Sequence, residues 1–295
     1  MSAVSSQLLR IVCAELEQGE IDPARTTGEP QAGLPVVMRE RRRPPVPLVF
    51  TLLGGFSLTR GHWRVTDAAW ERRVAQRVVR FLLVQRDRGV CEDELLEAFW
   101  ADRCRDSARR SLHVAISRAR RVIDTPGSAS VIDATDRVYH LRLRPRDSVD
   151  AAEFETTALA ALGEPGASRL GSLQRAASLW GGEPLPEERY SDWALGWRER
   201  LTDLEVAVLA TLADELLARG DLVAAARRAG ELVELEPLNE GGHRRLMVAH
   251  ARSGRRGRAL HQFLNCRHAL VQTLGIEPAS ETARLQQRIL AGEPV

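Results

Sequence analysis

Arginines, hydroxyls and one valine between residues 105 and 124 form a set of side chains that could recognise DNA. At helical spacing they share one face, which consists of Arg110, Ser111, Val114, Ser117, Arg118 and Arg121. The pattern places no acid on that face to neutralise the arginines. Guanidinium groups bind guanine edges and phosphates in the major groove, and an aliphatic carbon contacts a thymine methyl. The alternative for this segment alone is a solvated amphipathic helix.

The opposite face of the same helix is apolar, which predicts that it packs against a core. Its members recur every three or four residues: Ala108, Leu112, Ala115, Ile116, Ala119, Val122 and Ile123. Apolar spacing also predicts helices over 72–86 and 92–100, after two or three short strands within 49–65. Alternation over 131–143 predicts a β-hairpin with Arg137 near its tip.

The order strands, helix, helix, helix, hairpin is that of a winged helix-turn-helix. In such a fold the hairpin follows the reading helix, and an arginine on it can enter the adjacent minor groove. Arg137 is at the position expected for that residue.

From residue 150 onward the sequence predicts helices nearly throughout, with a repeat of 34 residues. The residue pairs with this offset are Gly220 and Gly254, Leu212 and Leu246, and Ala225 and Ala259. Two helices per unit at this period are typical of tetratricopeptide repeats. A weaker unit is predicted over 153–180 and a closing helix over 280–290. Such arrays bind protein or peptide partners on a concave surface.

Charge divides the 295 residues into three parts. Residues 1–45 are neutral, residues 46–145 carry +6 and residues 146–295 carry −4, which gives the overall +2. We therefore predict an arm or linker, in part disordered, over 1–47, a DNA-binding domain over 48–145 and a tetratricopeptide-like domain over 146–295. The predicted fold class is mainly α with a small α+β domain.

Several other functions are disfavoured by the residues that the chain lacks. No GxSxG, HExxH or phosphate-binding loop occurs, so we expect no enzyme and no cofactor. No apolar run approaches the ~20 residues of a membrane helix, so a cytoplasmic protein is expected. The four cysteines are scattered, which disfavours a disulfide framework. A thiol sensor at Cys91 and a metal site are minor alternatives, the latter at His243, His250, His261 and His268.

The sequence resembles two domains that occur together in one family. The stretches LLEAFW at 95–100 and SLHVAISRARR at 111–121 are similar to an OmpR/PhoB-type winged helix. Asp150, Phe154, LWGGEPL at 179–185 and LGIEP at 274–278 are similar to the bacterial transcriptional activator domain. In this order the two domains resemble the Streptomyces antibiotic regulatory protein (SARP) family.

The resemblance implies an activator that binds promoter direct repeats as two adjacent protomers and recruits RNA polymerase through its sigma factor. It implies that Arg118 and Val114 read bases, and that Arg137 enters the minor groove. Phosphates would be held by Arg110, Ser111, Ser117 and the indole N–H of Trp100. Further DNA-binding candidates are Arg77, His113 and Arg121. Polymerase would contact the loop formed by Ala101, Asp102, Arg103, Cys104, Arg105 and Asp106.

Two residues depart from the pattern of the resembled family. Cys91 replaces the usual Ser or Thr at a helix N-cap, which costs about 1 kcal/mol. Val138 replaces a glycine before the tyrosine of the hairpin, so the turn that carries Arg137 is expected to differ. The alternative function is a tetratricopeptide-type adaptor whose winged helix mediates protein contacts or non-specific DNA binding. The +6 charge of residues 46–145 favours the DNA-binding function.

Overall fold

The first sheet combines three strands at the start of the predicted DNA-binding domain with one strand that lies just beyond its predicted end at residue 145. The computed structural model describes residues 46–125, 128–166 and 168–295, so the arm predicted over 1–47 lies outside the described residues except for its last two. The sheet has the order β3-β2-β1-β7, and β7 runs parallel to β1 while the other pairs are antiparallel. Its strands are β1 (Leu48–Thr51), β2 (Ser57–Arg60), β3 (Trp63–Arg64) and β7 (Ser148–Val149).

Three helices and a second sheet complete this domain in the predicted order. A short 3-10 helix, Asp67–Trp70, precedes α1. The helices are α1 (Arg73–Val84), α2 (Glu92–Trp100) and α3 (Arg105–Ile123). The second sheet has the order β4-β6-β5, with β4 (Val90–Cys91), β5 (Ile132–Thr135) and β6 (Val138–Leu141). The elements are those of a winged helix-turn-helix.

The apolar face of α3 forms part of the core, as the sequence predicts. All seven of its residues are at least nine-tenths buried, and α3 packs against α1 and α2. Complete burial of a leucine such as Leu112 stabilises the fold by about 1.5–3 kcal/mol.

A two-residue turn joins β5 to β6 and carries Arg137. Thr135 pairs with Val138, and both Asp136 (φ 51°) and Arg137 (φ 62°) adopt left-handed conformations. Two consecutive residues of positive φ are typical of a type I′ turn, which usually contains Asn or Gly. The hairpin therefore forms with Val138 in its β6 strand, although the turn uses residues that are less suited to this conformation.

In the described residues from 150 onward seven α-helices follow, and successive helices pack against each other. They are α4 (Asp150–Gly163), α5 (Arg169–Leu179), α6 (Asp192–Ala218), α7 (Leu222–Leu235), α8 (Glu240–Arg252), α9 (Arg256–Leu274) and α10 (Ser280–Ala291). Gly220 and Gly254 end α6 and α8 at φ +77° and +74°, which glycine adopts without a steric penalty. The α6–α7 and α8–α9 pairs thus reproduce the predicted 34-residue units.

The two domains meet through their backbones. The Gly54 N–H donates to the carbonyl of Glu183 at 2.9 Å, and the Leu185 N–H donates to the carbonyl of Leu52 at 2.8 Å. A Cβ at Gly54 would lie 2.4 Å from the carbonyl oxygen of Gly181. The LWGGEPL stretch is therefore a docking segment whose glycines permit close approach to the first sheet.

Charged side chains complete this interdomain junction. Asp150 accepts hydrogen bonds from the N–H groups of Leu52 and Leu53 at 2.7 and 3.1 Å. Glu188 binds Arg77 at 3.0 Å and Arg80 at 2.9 Å, and its side chain is only 1% exposed. Burial raises the pKa of Glu188, but hydrogen bonds from Arg77, Ser191 and Arg80 outweigh this effect and leave the pKa below its ordinary value. The carboxylate therefore stays charged and joins the domains.

Candidate nucleic-acid interface

An exposed stripe runs along α3, opposite its apolar face. We call the five exposed side chains at spacings of three or four residues the reading stripe: Arg110, His113, Val114, Ser117 and Arg121. Val114 is 48% exposed, and the side chains of His113 and Arg121 are 59% and 71% exposed. Arg110 forms no ion pair within the described residues. An exposed helix face that combines arginine, hydroxyl and valine fits the chemistry of a major groove.

Arg118 lies beside this stripe and is bound to an acid of its own chain. Its Nε lies 2.9 Å from Oε2 of Glu71, and Nη1 of Arg121 lies 3.8 Å from Oε1 of the same carboxylate. The face of α3 itself carries no acid, as the sequence predicts, but Glu71 from another element supplies one beside it. Glu71 precedes α1 in the chain, 47 positions before Arg118, and no periodicity within α3 could have indicated it.

Ser111 and His113 contact protein groups at the edge of the stripe. The Ser111 hydroxyl donates to the carbonyl of Ser107 at 3.0 Å, and its side chain is half-buried. His113 lies 3.8 Å from Glu92, whose carboxylate binds Arg109 at 2.7 Å. The phosphate role of Ser111 stays a prediction, and it requires the single O–H of this hydroxyl to turn from Ser107 to a phosphate oxygen, which can only accept.

The tip of the hairpin exposes Arg137, and its backbone joins the start of α2. The Glu92 N–H donates to the carbonyl of Arg137 at 2.8 Å. At the same helix start, the Cys91 N–H donates to the side chain of Glu94 at 3.0 Å. Glu94 therefore supplies one half of a capping box, although Cys91 replaces the usual hydroxyl residue.

Two of the residues predicted to contact DNA, Trp100 and Arg77, lie outside the reading stripe and contact other parts of the protein. Trp100 is only 8% exposed and packs edge-on against Phe99 with ring centroids 5.8 Å apart. Arg77 binds Glu188 and lies 5.2 Å above the ring of Phe99, within the interdomain junction. The DNA contact of Arg77 therefore stays a prediction, and in the structure its charge is paired with a buried carboxylate. The Trp100–phosphate contact stays a prediction, and only the exposed 8% of this residue is accessible to DNA.

The predicted polymerase loop is exposed along its whole length. Residues 101–104 connect α2 to α3, while Arg105 and Asp106 belong to the first turn of α3. Arg105 pairs with Asp93 at 2.5 Å, which ties that turn to α2. The loop therefore exposes both acidic and basic side chains, and its C-terminal end is attached to α2 by an ion pair.

The alternative metal site is not supported in the described part of the chain. Nε2 of His243 lies 2.9 Å from the carbonyl of Pro237, and Nδ1 accepts from Gln262 at 2.6 Å. This residue is 2% exposed, and both nitrogens of its imidazole form hydrogen bonds within the protein. No group of three or more His, Cys, Asp or Glu side chains is arranged to hold a metal ion in those ranges. Among the same residues, no helix has the length and apolar character required to cross a bilayer.

The fold and the exposed α3 surface define a winged helix-turn-helix joined to a helical domain. Residues 149–290 match the family model of the bacterial transcriptional activator domain. The chain is 30% identical to the regulatory protein AfsR of Streptomyces coelicolor over 86% of its own length, and it spans about a quarter (26%) of that relative. It is 28% identical to the regulatory protein DnrI of Streptomyces peucetius, over 79% of this chain and 89% of DnrI.

A solved structure of similar fold is Mycobacterium tuberculosis EmbR in complex with a low-affinity phosphopeptide. The TM-score is 0.68 at 25% sequence identity, and the match covers 85% of this chain and 66% of EmbR. The chain therefore carries a bacterial transcriptional activator domain and is similar to regulators of the SARP family. These relatives are named as regulatory proteins, not as enzymes.

Proposed function

We propose that this protein binds specific double-stranded DNA through α3 and the β5–β6 hairpin and activates transcription from promoters. The observation that carries the proposal is the exposed reading stripe, on which Arg110 is free of ion pairs within the described residues and Val114 is half exposed. The +6 charge of residues 46–145 supports the same function, because a polyanion attracts a basic domain. Such a regulator acts in the bacterial cytoplasm and associates with the nucleoid when it is bound.

In this proposal the side chains of the interface have distinct roles. Val114 and Arg118 read bases in the major groove, and Arg137 enters the minor groove. Phosphates are contacted by Arg110, Ser111, Ser117, His113 and Arg121. Two adjacent protomers bind direct repeats, and the loop at 101–106 contacts RNA polymerase or its sigma factor.

Selection of bound fragments from a random double-stranded DNA pool at physiological salt tests the proposal. We expect enrichment of two short direct repeats spaced by about one helical turn. An unenriched pool, with weak and steeply salt-dependent retention, would favour the adaptor function instead.

Two variants of α3 separate base reading from phosphate binding. Arg118→Ala should relax the preference at one base position, at a cost of about 1–3 kcal/mol for the selected site. Arg110→Ala should weaken binding to all sequences and reduce the salt slope by about one. Equal losses on selected and random duplexes for both variants would contradict these assignments.

The polymerase contact is tested by a variant that keeps DNA binding. Asp102 is exposed and lies in the short loop between α2 and α3. Asp102→Ala should change the affinity for the selected repeats by less than about twofold, because surface substitutions perturb the fold little. Transcription from a template with these repeats should decrease, whereas unchanged transcription would exclude Asp102 from the polymerase contact.

A further inference from the structure

We infer that Glu71 is a specificity-determining residue that acts by positioning Arg118. The inference rests on the proposed function, because it assumes that Arg118 faces DNA. It assigns to Glu71 the task of holding one guanidinium in a single orientation against a base.

The turn that carries Glu71 is held firmly. Glu71 follows the 3-10 helix at φ +55°, and its N–H donates to the carbonyl of Ala68 at 3.1 Å. The preceding Trp70 is 2% exposed and packs edge-on against Phe56 with centroids 5.9 Å apart. A residue with positive φ persists only where its surroundings require that conformation. The carboxylate is therefore presented to α3 from a defined position.

The ion pair leaves the base-reading end of Arg118 available. Its closest contact with Glu71 is the ion pair at Nε, and neither Nη atom forms a hydrogen bond with the described residues. Bidentate recognition of guanine O6 and N7 uses two adjacent N–H groups of the guanidinium plane. With its side chain 23% exposed and held at Nε, Arg118 loses less rotamer freedom when it binds a base.

Glu71 also affects binding that does not depend on sequence. Its carboxylate approaches Arg121 as well as Arg118 and is 51% exposed, so it contributes a negative charge next to the expected path of the DNA backbone. Like charges repel, so this carboxylate weakens attraction to every phosphate backbone. Glu71 thus increases specificity in two ways, by fixing Arg118 and by reducing non-specific affinity.

The test compares Glu71→Ala and Glu71→Gln with wild type on the selected repeats, on duplexes with single base changes and on a scrambled duplex. Wild type should lose about 10–100-fold in affinity when the base read by Arg118 is changed. Glu71→Ala should reduce this discrimination to about threefold at that position only, and should bind the scrambled duplex more tightly. Glu71→Gln, which removes the charge but keeps an amide oxygen, should give an intermediate profile.

Glu97→Gln is the matched control. Glu97 is exposed on α2 and forms no ion pair within the described residues. Its substitution by Gln changes the net charge by the same amount as the Glu71 variants. It should leave the base profile unchanged. A double variant adds a second criterion: in an Arg118→Ala background, Glu71→Ala should cause no further loss of base discrimination, because Glu71 acts through Arg118.

Each outcome separates the inference from the proposed function. If wild type shows no base preference, the proposed function fails. If wild type is selective but Glu71→Ala keeps the same base profile and binds all duplexes more tightly, Glu71 is only a competitor of DNA and the inference is wrong. Unfolding midpoints of all variants within a few degrees of wild type exclude a folding defect as the cause.

Discussion

The reading stripe and the interdomain junction are both rich in arginine, but these arginines have different environments. At the junction, Arg80 is 7% exposed and binds Glu188, which is 2% exposed. On the stripe, Arg110 is exposed and has no acidic partner within the described residues. Arginine content therefore does not identify a DNA-binding surface. The carboxylates contributed by distant elements determine which arginines remain available to a ligand.

The two regions also differ in what their substitution should change. The junction depends on buried charge and backbone approach, so its variants should affect the free energy of unfolding. The stripe makes few contacts with the rest of the protein, so its variants should affect DNA binding alone.

The largest effect is expected for Glu188→Ala. This change leaves Arg80 buried without a charged partner, which costs about 3–5 kcal/mol of stability. Urea denaturation followed by circular dichroism measures it. Glu199→Ala, on the exposed surface of α6, is the control and should change stability by less than about 0.5 kcal/mol. A loss below about 1 kcal/mol for Glu188→Ala would show that the junction contributes little.

A smaller loss, about 2–4 kcal/mol, is expected for Gly54→Ala. The new Cβ would meet the Gly181 carbonyl at 2.4 Å, and the backbone at Gly54 has φ +78°. Gly196→Ala is the matched control, because its Cβ meets nothing within 4 Å and it lies inside α6. Alanine there should stabilise the protein by up to about 1 kcal/mol. Similar thermal midpoints for both variants would contradict the close approach of the two backbones.

Glu205→Gln should change the free energy of unfolding by about 1–2 kcal/mol, and this change should depend on pH. Glu205 is 2% exposed, and its Oε2 has no hydrogen-bond partner among the residues that the structure describes. Burial, with a smaller contribution from Glu231, raises the pKa of Glu205 to about 8.

The sign of this effect follows from the raised pKa. The stability contributed by protonated Glu205 is complete below its ordinary pKa of 4.5 and is lost as the pH rises through about 8. Glu205→Gln should therefore stabilise the protein at pH 9 and have little effect at pH 5. Thermal unfolding at both values measures the difference, and an equal shift at both would exclude titration of Glu205 as its source.

The smallest effect on stability is expected for Arg110→Ala. Arg110 is exposed, so its loss should change the unfolding free energy by less than about 0.5 kcal/mol. Arg80→Ala, the matched change at the junction, should cost several times more, because it leaves Glu188 buried with one fewer partner. Equal losses for the two variants would remove the distinction between the regions.

Local patterns predicted most of the fold. The helices at 92–100 and 105–123 and the hairpin around Arg137 follow from residues close together in the chain, because periodicity and turn propensity are local properties. The sequence did not indicate β7, which has only two residues and pairs with β1 about 100 positions earlier. Such a short strand carries no alternation that could be detected.

The sequence by itself determined the order of elements, the buried face of α3 and the two-helix units with their glycine turns. Only the tertiary structure decided which arginines pair with carboxylates of the same chain and which stay exposed. Arg77 binds Glu188, 111 positions away, Arg118 binds Glu71, and Arg110 remains exposed. The physical reason is that ion pairing depends on distance in space, whereas helical spacing reports only which side chains of one helix share a face.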